Sequence, residues 1–123
     1  MKKLEIGKGQ MKVLRVLWEG KRVTAQEVTD ILNKSEPIKF STVSTFLRSL
    51  VRKGAAAYDV DNRTYIYYPL VKEEEVAEYA LNDMIDHVFA GSVDGFVSFI
   101  IKNKYFPPDE LEKIRKLVEK EEK

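Results

Sequence analysis

The sequence contains no cysteine and only one histidine among its 123 residues. Without thiols there can be no disulfide, no thiolate metal site and no cysteine nucleophile. No apolar run approaches the roughly 20 residues of a membrane-spanning helix, and the N-terminal segment lacks the apolar stretch of a secretory signal. These absences predict a cytoplasmic protein with no membrane partner. Its length allows one ordinary core and a small helical extension.

Charged residues are plentiful, but the two signs are unevenly placed. Residues 1–71 carry 13 basic and 7 acidic side chains, a net charge of +6, whereas residues 72–123 carry 8 basic and 13 acidic ones, a net charge of −5. This asymmetry indicates a basic module that meets a polyanion and an acidic module with another task. Chance is the alternative, because a chain with 33% charged residues also varies between its halves.

Helical spacing of apolar residues predicts three helices in the first half of the chain. The first covers residues 8–19 and ends at Gly20, a typical C-terminal glycine. The second covers residues 24–34. At its start, Thr24 and Glu27 form a T-x-x-E capping box. The third ends at Gly54, and its inward face is apolar. That face consists of Val43, Phe46, Leu47, Leu50 and Val51.

After Gly54 the apolar period changes from 3.6 to 2, which predicts two strands over residues 55–60 and 64–70 joined by a polar turn. The predicted fold is therefore mainly α with a small β-hairpin. We expect a winged helix-turn-helix domain over residues 1–71 and a helical region over residues 72–123. Within this second region, the segment from Phe96 to Ile101 is strongly apolar, and a last helix carries Leu111, Ile114, Leu117 and Val118 on one side.

The apolar face of the third helix leaves a polar face on its opposite side. Short hydroxyls near the helix start let the backbone approach a ligand closely, and the fork of Arg48 suits guanine or phosphate. Arg63 at the hairpin tip is a further cation that could contact DNA, although the nearby Asp59 and Asp61 repel phosphate. A merely solvated face is the alternative interpretation. The predicted DNA-binding residues are Ser41, Thr42, Ser44, Thr45, Arg48, Arg52, Lys53 and Arg63.

Catalytic and metal-binding interpretations are weaker. His87, with Asp83 and Asp86 nearby, could be half of a metal or acid–base site, but it is more simply explained as a capped or partly buried interface residue. The acidic run at residues 73–75 is typical of a solvated helix start, where negative charge is favourable. Gly7 and Gly9 lack the preceding strand that a phosphate loop requires. We therefore predict no enzyme, no metal and no cofactor, and a structural role for Trp18. A winged helix used for protein–protein contact remains the competing interpretation.

Several segments resemble the penicillinase and methicillin-resistance repressors (BlaI/MecI) and their copper-transport relatives (CopY). The matching segments are residues 16–18, 24–28, 42–47, 50–54 and 65–71. The resemblance implies a homodimeric repressor that binds a palindromic operator in double-stranded DNA, with the C-terminal helices as the dimer interface. The apolar excess in this region agrees with that role. The predicted dimerisation residues are Phe96, Val97, Phe99, Ile100 and Ile101.

The chain also departs from these relatives. It has no cysteine for the metal motif of the copper branch, and no Asn-Phe bond like the one cleaved in the penicillinase branch. Ser41 and Ser44 replace usual lysines, and Ser49 replaces a usual arginine. The operator sequence, the regulated gene and the sensor or inducer therefore cannot be copied from the family.

Overall fold

Three helices and a small sheet form the first part of the molecule in a computed structural model, which describes residues 3–103 and 107–121. The side chains at 111, 114 and 117–121 lie outside that description. The elements are α1 (Lys8–Gly20), β1 (Val23–Thr24), α2 (Ala25–Leu32), α3 (Phe40–Arg52), β2 (Ala56–Asp61), β3 (Thr64–Pro69), α4 (Glu73–Val88), α5 (Val93–Lys102) and α6 (Pro108–Glu121). The chain divides into two compact units, Met1–Leu81 and Asn82–Lys123.

The core of the first unit is built from the predicted apolar faces. Leu14 and Leu17 of α1 are fully buried, as are Leu47 and Leu50 of α3. Val28 of α2, also fully buried, completes the contact among the three helices. The prediction of a mainly α fold is confirmed. Helices α1 and α2 match their predicted ranges to within two residues at each end, and α3 ends two residues before Gly54, the glycine predicted to end it.

The structure confirms the predicted start of α2 but ends α1 one residue later than predicted. The capping box is confirmed: Thr24 Oγ1 accepts from Glu27 N at 3.1 Å, and Thr24 N donates to Glu27 Oε1 at 2.9 Å. Gly20, however, is the last helical residue. The chain turns at the next residue, Lys21, with φ +68 and ψ −51. Its N–H donates to the Leu17 carbonyl at 2.8 Å, and Arg22 N donates to the Gly20 carbonyl at 2.8 Å, as in a γ-turn.

The sheet has three strands rather than the two predicted. β1 pairs antiparallel with β3, so the strand order is β1-β3-β2. Two residues are too short for any alternation of polar and apolar side chains to reveal a strand. The wing itself is as expected. Asn62 and Arg63 both have positive φ, +50 and +67, as the tightest hairpin turns require.

Trp18 lies at the end of α1, half-buried against the core. Its Nε1 donates to the Val71 carbonyl at 2.9 Å, so the ring joins α1 to the segment that leaves β3. Its hydrogen-bond partner therefore lies just beyond β3. Because an indole N–H has its partner within the protein, this contact supports the predicted structural role.

The second unit contains the end of α4 together with α5 and α6. Ala90 and Gly91, with φ +51 and +80, form the turn after α4, and Ser92 Oγ then accepts from Gly95 N at 2.9 Å to begin α5. The ring of Phe89 contacts that of Phe96, at 5.5 Å between centroids. Even so, α5 buries none of its residues. The predicted apolar side of α6 (Leu111, Ile114, Leu117 and Val118) lies outside the described side chains.

Within residues 3–103 and 107–121, no single helix is long and apolar enough to cross a bilayer. The consecutive helices α4 and α5 reach the necessary length and composition only when taken together across the bend between them.

A close approach of α1 to α3 generates the first prediction. A Cβ on Gly9 would lie 2.2 Å from the Cζ atom of Phe46, so Gly9→Ala should displace that ring. Overpacking typically costs about 1–3 kcal/mol, whereas alanine regains only about 1 kcal/mol of helix propensity. We expect urea unfolding to show a net loss of stability. In a Phe46→Leu background the same substitution should be neutral or stabilising, and a stabilised Gly9→Ala single variant would contradict the contact.

Candidate nucleic-acid interface

The turn between α2 and α3 is held by one side chain, Asn33. Its Nδ2 donates to the carbonyls of Ile38, at 3.0 Å, and Thr29, at 2.9 Å, while its Oδ1 accepts from Ile38 N at 2.9 Å. Asparagine often bonds nearby backbone groups in this way. Asn33 thereby sets the direction in which α3 begins, two residues after Ile38. Sequence reasoning missed this role, although an asparagine at a helix end before a proline-containing turn was a usable signal.

The outward edge of α3 presents side chains one helical turn apart. Thr45 Oγ1 donates to the Ser41 carbonyl at 3.0 Å, and Arg48 Nη2 donates to Thr45 Oγ1 at 3.3 Å. Thr42 and Ser44, which are also among the predicted DNA-binding residues, are half-buried. We call the exposed set the outer edge of α3. It consists of Ser41, Thr45, Arg48 and Arg52.

Lys53 is directed differently from Arg52. Its Nζ donates to Gln10 Oε1 at 2.8 Å and to the Glu5 carbonyl, so the ammonium group faces the N-terminal segment. Gln10 also donates to Ser49 Oγ at 2.6 Å. Gln10 therefore joins the start of α1 to the last turn of α3, a contact across 39 positions of sequence that no local pattern indicates. Contact of Lys53 with DNA stays a prediction.

The wing separates its charges by face. Arg22, which precedes β1, forms an ion pair with Asp59, and its guanidinium lies 5.1 Å from the ring centre of Tyr68. Asp59 is thus neutralised within the protein. Arg63 occupies the exposed tip of the hairpin, apart from α3 in sequence and at the far end of the wing.

The residues considered for catalysis or metal binding have structural contacts. His87 Nδ1 lies 3.0 Å from the Asp83 carbonyl and 3.1 Å from its Oδ1, with the side chain 76% exposed. In the acidic run, Glu73 pairs with Arg15 at 3.1 Å, and Glu75 Oε1 accepts from Lys72 N at 2.8 Å. Among the residues that the structure describes, no group of three His, Cys, Asp or Glu side chains could hold a metal ion.

A separate cavity of about 520 Å³ lies beside α1 and the turn between α2 and α3. Its floor is apolar, with Met11, Leu32 and Ile38 among its lining residues. At its rim Lys12 bonds Glu36, and this hydrogen bond and the lysine charge lower the pKa of the Glu36 carboxyl. None of the predicted DNA-binding residues lines this cavity.

Helix-turn-helix geometry with a three-stranded sheet and a tight wing turn defines a winged helix-turn-helix protein. The chain belongs to the penicillinase repressor family, whose model matches residues 6–120. The resemblance noted in the sequence is thereby confirmed.

Named relatives span nearly the whole chain. It is 23% identical over 120 residues to the penicillinase repressor of Bacillus licheniformis, covering 97% of this chain and 94% of that one. It is 24% identical over 119 residues to the methicillin resistance regulatory protein MecI of Staphylococcus aureus (strain N315), covering 97% of each.

Solved structures agree with the fold. The DNA-binding domain of the repressor BlaI matches with a TM-score of 0.54 and 29% identity, over 61% of this chain and 93% of that one. The monomeric Bacillus licheniformis BlaI in complex with the blaP half-operator matches with a TM-score of 0.51, the same identity and the same coverage. Wild-type MarR from E. coli, at 18% identity and TM-score 0.55 over 95% of this chain and 78% of that one, shows the shared fold alone.

The Asn33 contacts generate the second prediction. Asn33→Ala removes three hydrogen bonds, two of them to Ile38, and leaves backbone groups of the turn without this partner. A hydrogen bond typically contributes about 0.5–1.5 kcal/mol. Two of the three bonds are exposed, so water replaces part of what is lost, and we expect a loss of about 1–3 kcal/mol in urea unfolding. Lys34→Ala, at the exposed neighbouring position, is the control, and equal stabilities for the two variants would refute the role of Asn33.

Proposed function

We propose that this protein is a sequence-specific DNA-binding transcriptional repressor that acts as a homodimer on a palindromic operator. The outer edge of α3 carries the proposal, because it combines exposed hydroxyls with two arginines on the second helix of a helix-turn-helix. The relative BlaI, solved in complex with a half-operator, supports the same use of the fold here. We assign the protein no catalytic role and no cofactor.

In this proposal the start of α3 enters the major groove, as recognition helices do. Ser41 and Thr45 approach the base edges and phosphates near the helix start. Arg48 reads a base edge with its bidentate fork. Arg52, at the end of the helix, contacts phosphate, and Arg63 reaches the backbone from the wing. The net charge of +6 over residues 1–71 supplies the long-range attraction to DNA.

Arg48→Ala generates the third prediction. On a preferred site selected from a random DNA pool, the loss of a bidentate base contact should cost about 1–3 kcal/mol of binding free energy. On random DNA the loss should be smaller. Arg52→Ala is the matched control: it should weaken both DNAs equally and reduce the slope of log affinity against log salt by about 1. Fluorescence anisotropy over a salt series measures both quantities.

Three outcomes of that titration separate the hypotheses. Equal losses on both DNAs for Arg48→Ala would reassign this residue to phosphate. A wild-type affinity that hardly changes with salt would contradict a phosphate-contacting interface. No measurable binding to any DNA would favour the competing use of the winged helix for protein contact.

Dimerisation through residues 72–123 is the second part of the proposal, with residues 1–71 as the DNA-binding domain. Six of the ten residues of α5 are apolar, yet the chain buries none of them. Val97 is 45% exposed and Ile101 is 51% exposed. Exposed apolar surface of this kind marks an interaction site, and a second copy would place two α3 helices on the two halves of a palindrome.

The fourth prediction tests this interface. Val97 and Ile101 are one helical turn apart, so Val97→Asp combined with Ile101→Asp should place two buried charges from each copy in the dimer interface. The variant should become monomeric at micromolar concentration in light scattering and bind a full operator much more weakly than the wild type. Ser98→Asp is the control, because Ser98 shares the polar stripe of α5 with Asp94 and Lys102. A monomeric wild-type protein would overturn the assignment.

A further inference from the structure

The two faces of the wing differ in chemistry. Strand register pairs Tyr58 with Tyr67 and Val60 with Tyr65, and alternate residues share a face. One side, the tyrosine face, therefore carries Ala56, Tyr58, Val60, Tyr65, Tyr67 and Pro69. The other side carries Ala57, Asp59, Asp61, Thr64, Ile66 and Tyr68. Both carboxylates of the hairpin lie on this second side, so the tyrosine face contains no acidic residue.

The tyrosines form a cluster that runs from the core to solvent. Tyr67 is only 7% exposed, whereas Tyr58 is 40% and Tyr65 is 46% exposed. The rings of Tyr58 and Tyr65 stack with centroids 4.4 Å apart and planes 6° from parallel. Both also contact the Tyr67 ring, at 5.7 and 6.3 Å between centroids. Stacking in this way holds two exposed rings in fixed positions, and their hydroxyl ends are available for hydrogen bonds.

This cluster adjoins the outer edge of α3. Burial raises the pKa of the Tyr67 hydroxyl, the neighbours Tyr58 and Tyr65 raise it further, and the Arg48 guanidinium acts in the opposite direction. Packing also places the wing next to α3. Ala56 and Tyr67 at the base of the tyrosine face belong to the same buried core as Leu47 and Leu50 of α3, and β2, which carries Tyr58, packs directly against α3.

We propose that Tyr58 and Tyr65 donate hydrogen bonds to the phosphate backbone of the DNA strand that borders the groove occupied by α3. This inference rests on the proposed function and adds the wing surface that positions the complex. Tyrosine hydroxyls are among the side-chain donors that contact phosphate in protein–DNA interfaces. The tyrosine face suits a polyanion because both carboxylates of the hairpin lie on the opposite face. In addition, the helix that carries Arg48 packs against the strand that carries Tyr58.

A double variant that keeps the rings tests this inference in the full-length protein. Tyr58→Phe with Tyr65→Phe preserves the stack and removes only the two hydroxyls. We expect affinity to fall roughly tenfold, in keeping with two lost hydrogen bonds. The factor should be similar on a selected site and on random DNA, because phosphate contacts carry no base preference. The salt slope should stay unchanged, since a tyrosine hydroxyl donates without a positive charge.

Tyr68→Phe is the matched control, since it removes a hydroxyl from the same strand on the opposite face. It should leave DNA affinity unchanged, and thermal melting should show that all variants remain folded. Wild-type affinity in the double variant would overturn the inference while leaving DNA binding by α3 intact. So would an altered oligomeric state with unchanged DNA affinity, which would assign the face to protein contact. Failure of the wild type itself to bind any DNA would instead refute the proposed function.

Discussion

The packing of α1 against α3 is the contact on which the remainder of the DNA-binding unit depends. Leu14 and Leu17 on one helix and Leu47 and Leu50 on the other are fully removed from solvent. Each such side chain contributes about 1.5–3 kcal/mol when buried, so the rotation of α3 about its own axis is set by this face. Gly9 permits the helices to approach this closely. The hydroxyls and arginines on the opposite side of α3 are exposed as a direct result.

Polar contacts then fix what apolar packing leaves undetermined. Asn33 holds the turn that aims α3, and Gln10 ties the last turn of α3 to the start of α1. Arg22 binds the wing through Asp59 and Tyr68. Asn33, Gln10 and Arg22 lie outside the surface proposed to meet DNA, and each positions an element of it. Substitutions of these three side chains should therefore alter DNA binding through geometry, unlike substitutions of the direct contacts on the outer edge of α3.

The two units treat apolar residues in opposite ways. In the first, apolar faces turn inward and the polar face of α3 is left for a ligand. In the second, α5 buries none of its apolar side chains among the residues that the structure describes. The proposed dimeric repressor would use both properties, because two copies must assemble and each must present a polar, cationic helix.

Local patterns in the sequence by themselves determined the helices, the capping box at Thr24, the hairpin and the apolar segment from Phe96 to Ile101. Helical and strand periods depend only on residues that are close together in the chain. The same is true of the capping box, whose two side chains are three positions apart. Family resemblance was also readable there, because its motifs are contiguous.

Only the tertiary structure decided which polar side chains are available. It paired β1 with β3, placed Ser44 half inside, turned Lys53 toward Gln10 and put Asp59 in contact with Arg22. It also packed the wing against α3 and put the turn after α1 at Lys21. The Lys53 and Asp59 contacts join positions 43 and 37 apart in sequence. No local period encodes such pairs, because they form only after the core has set the distance between the elements that carry them.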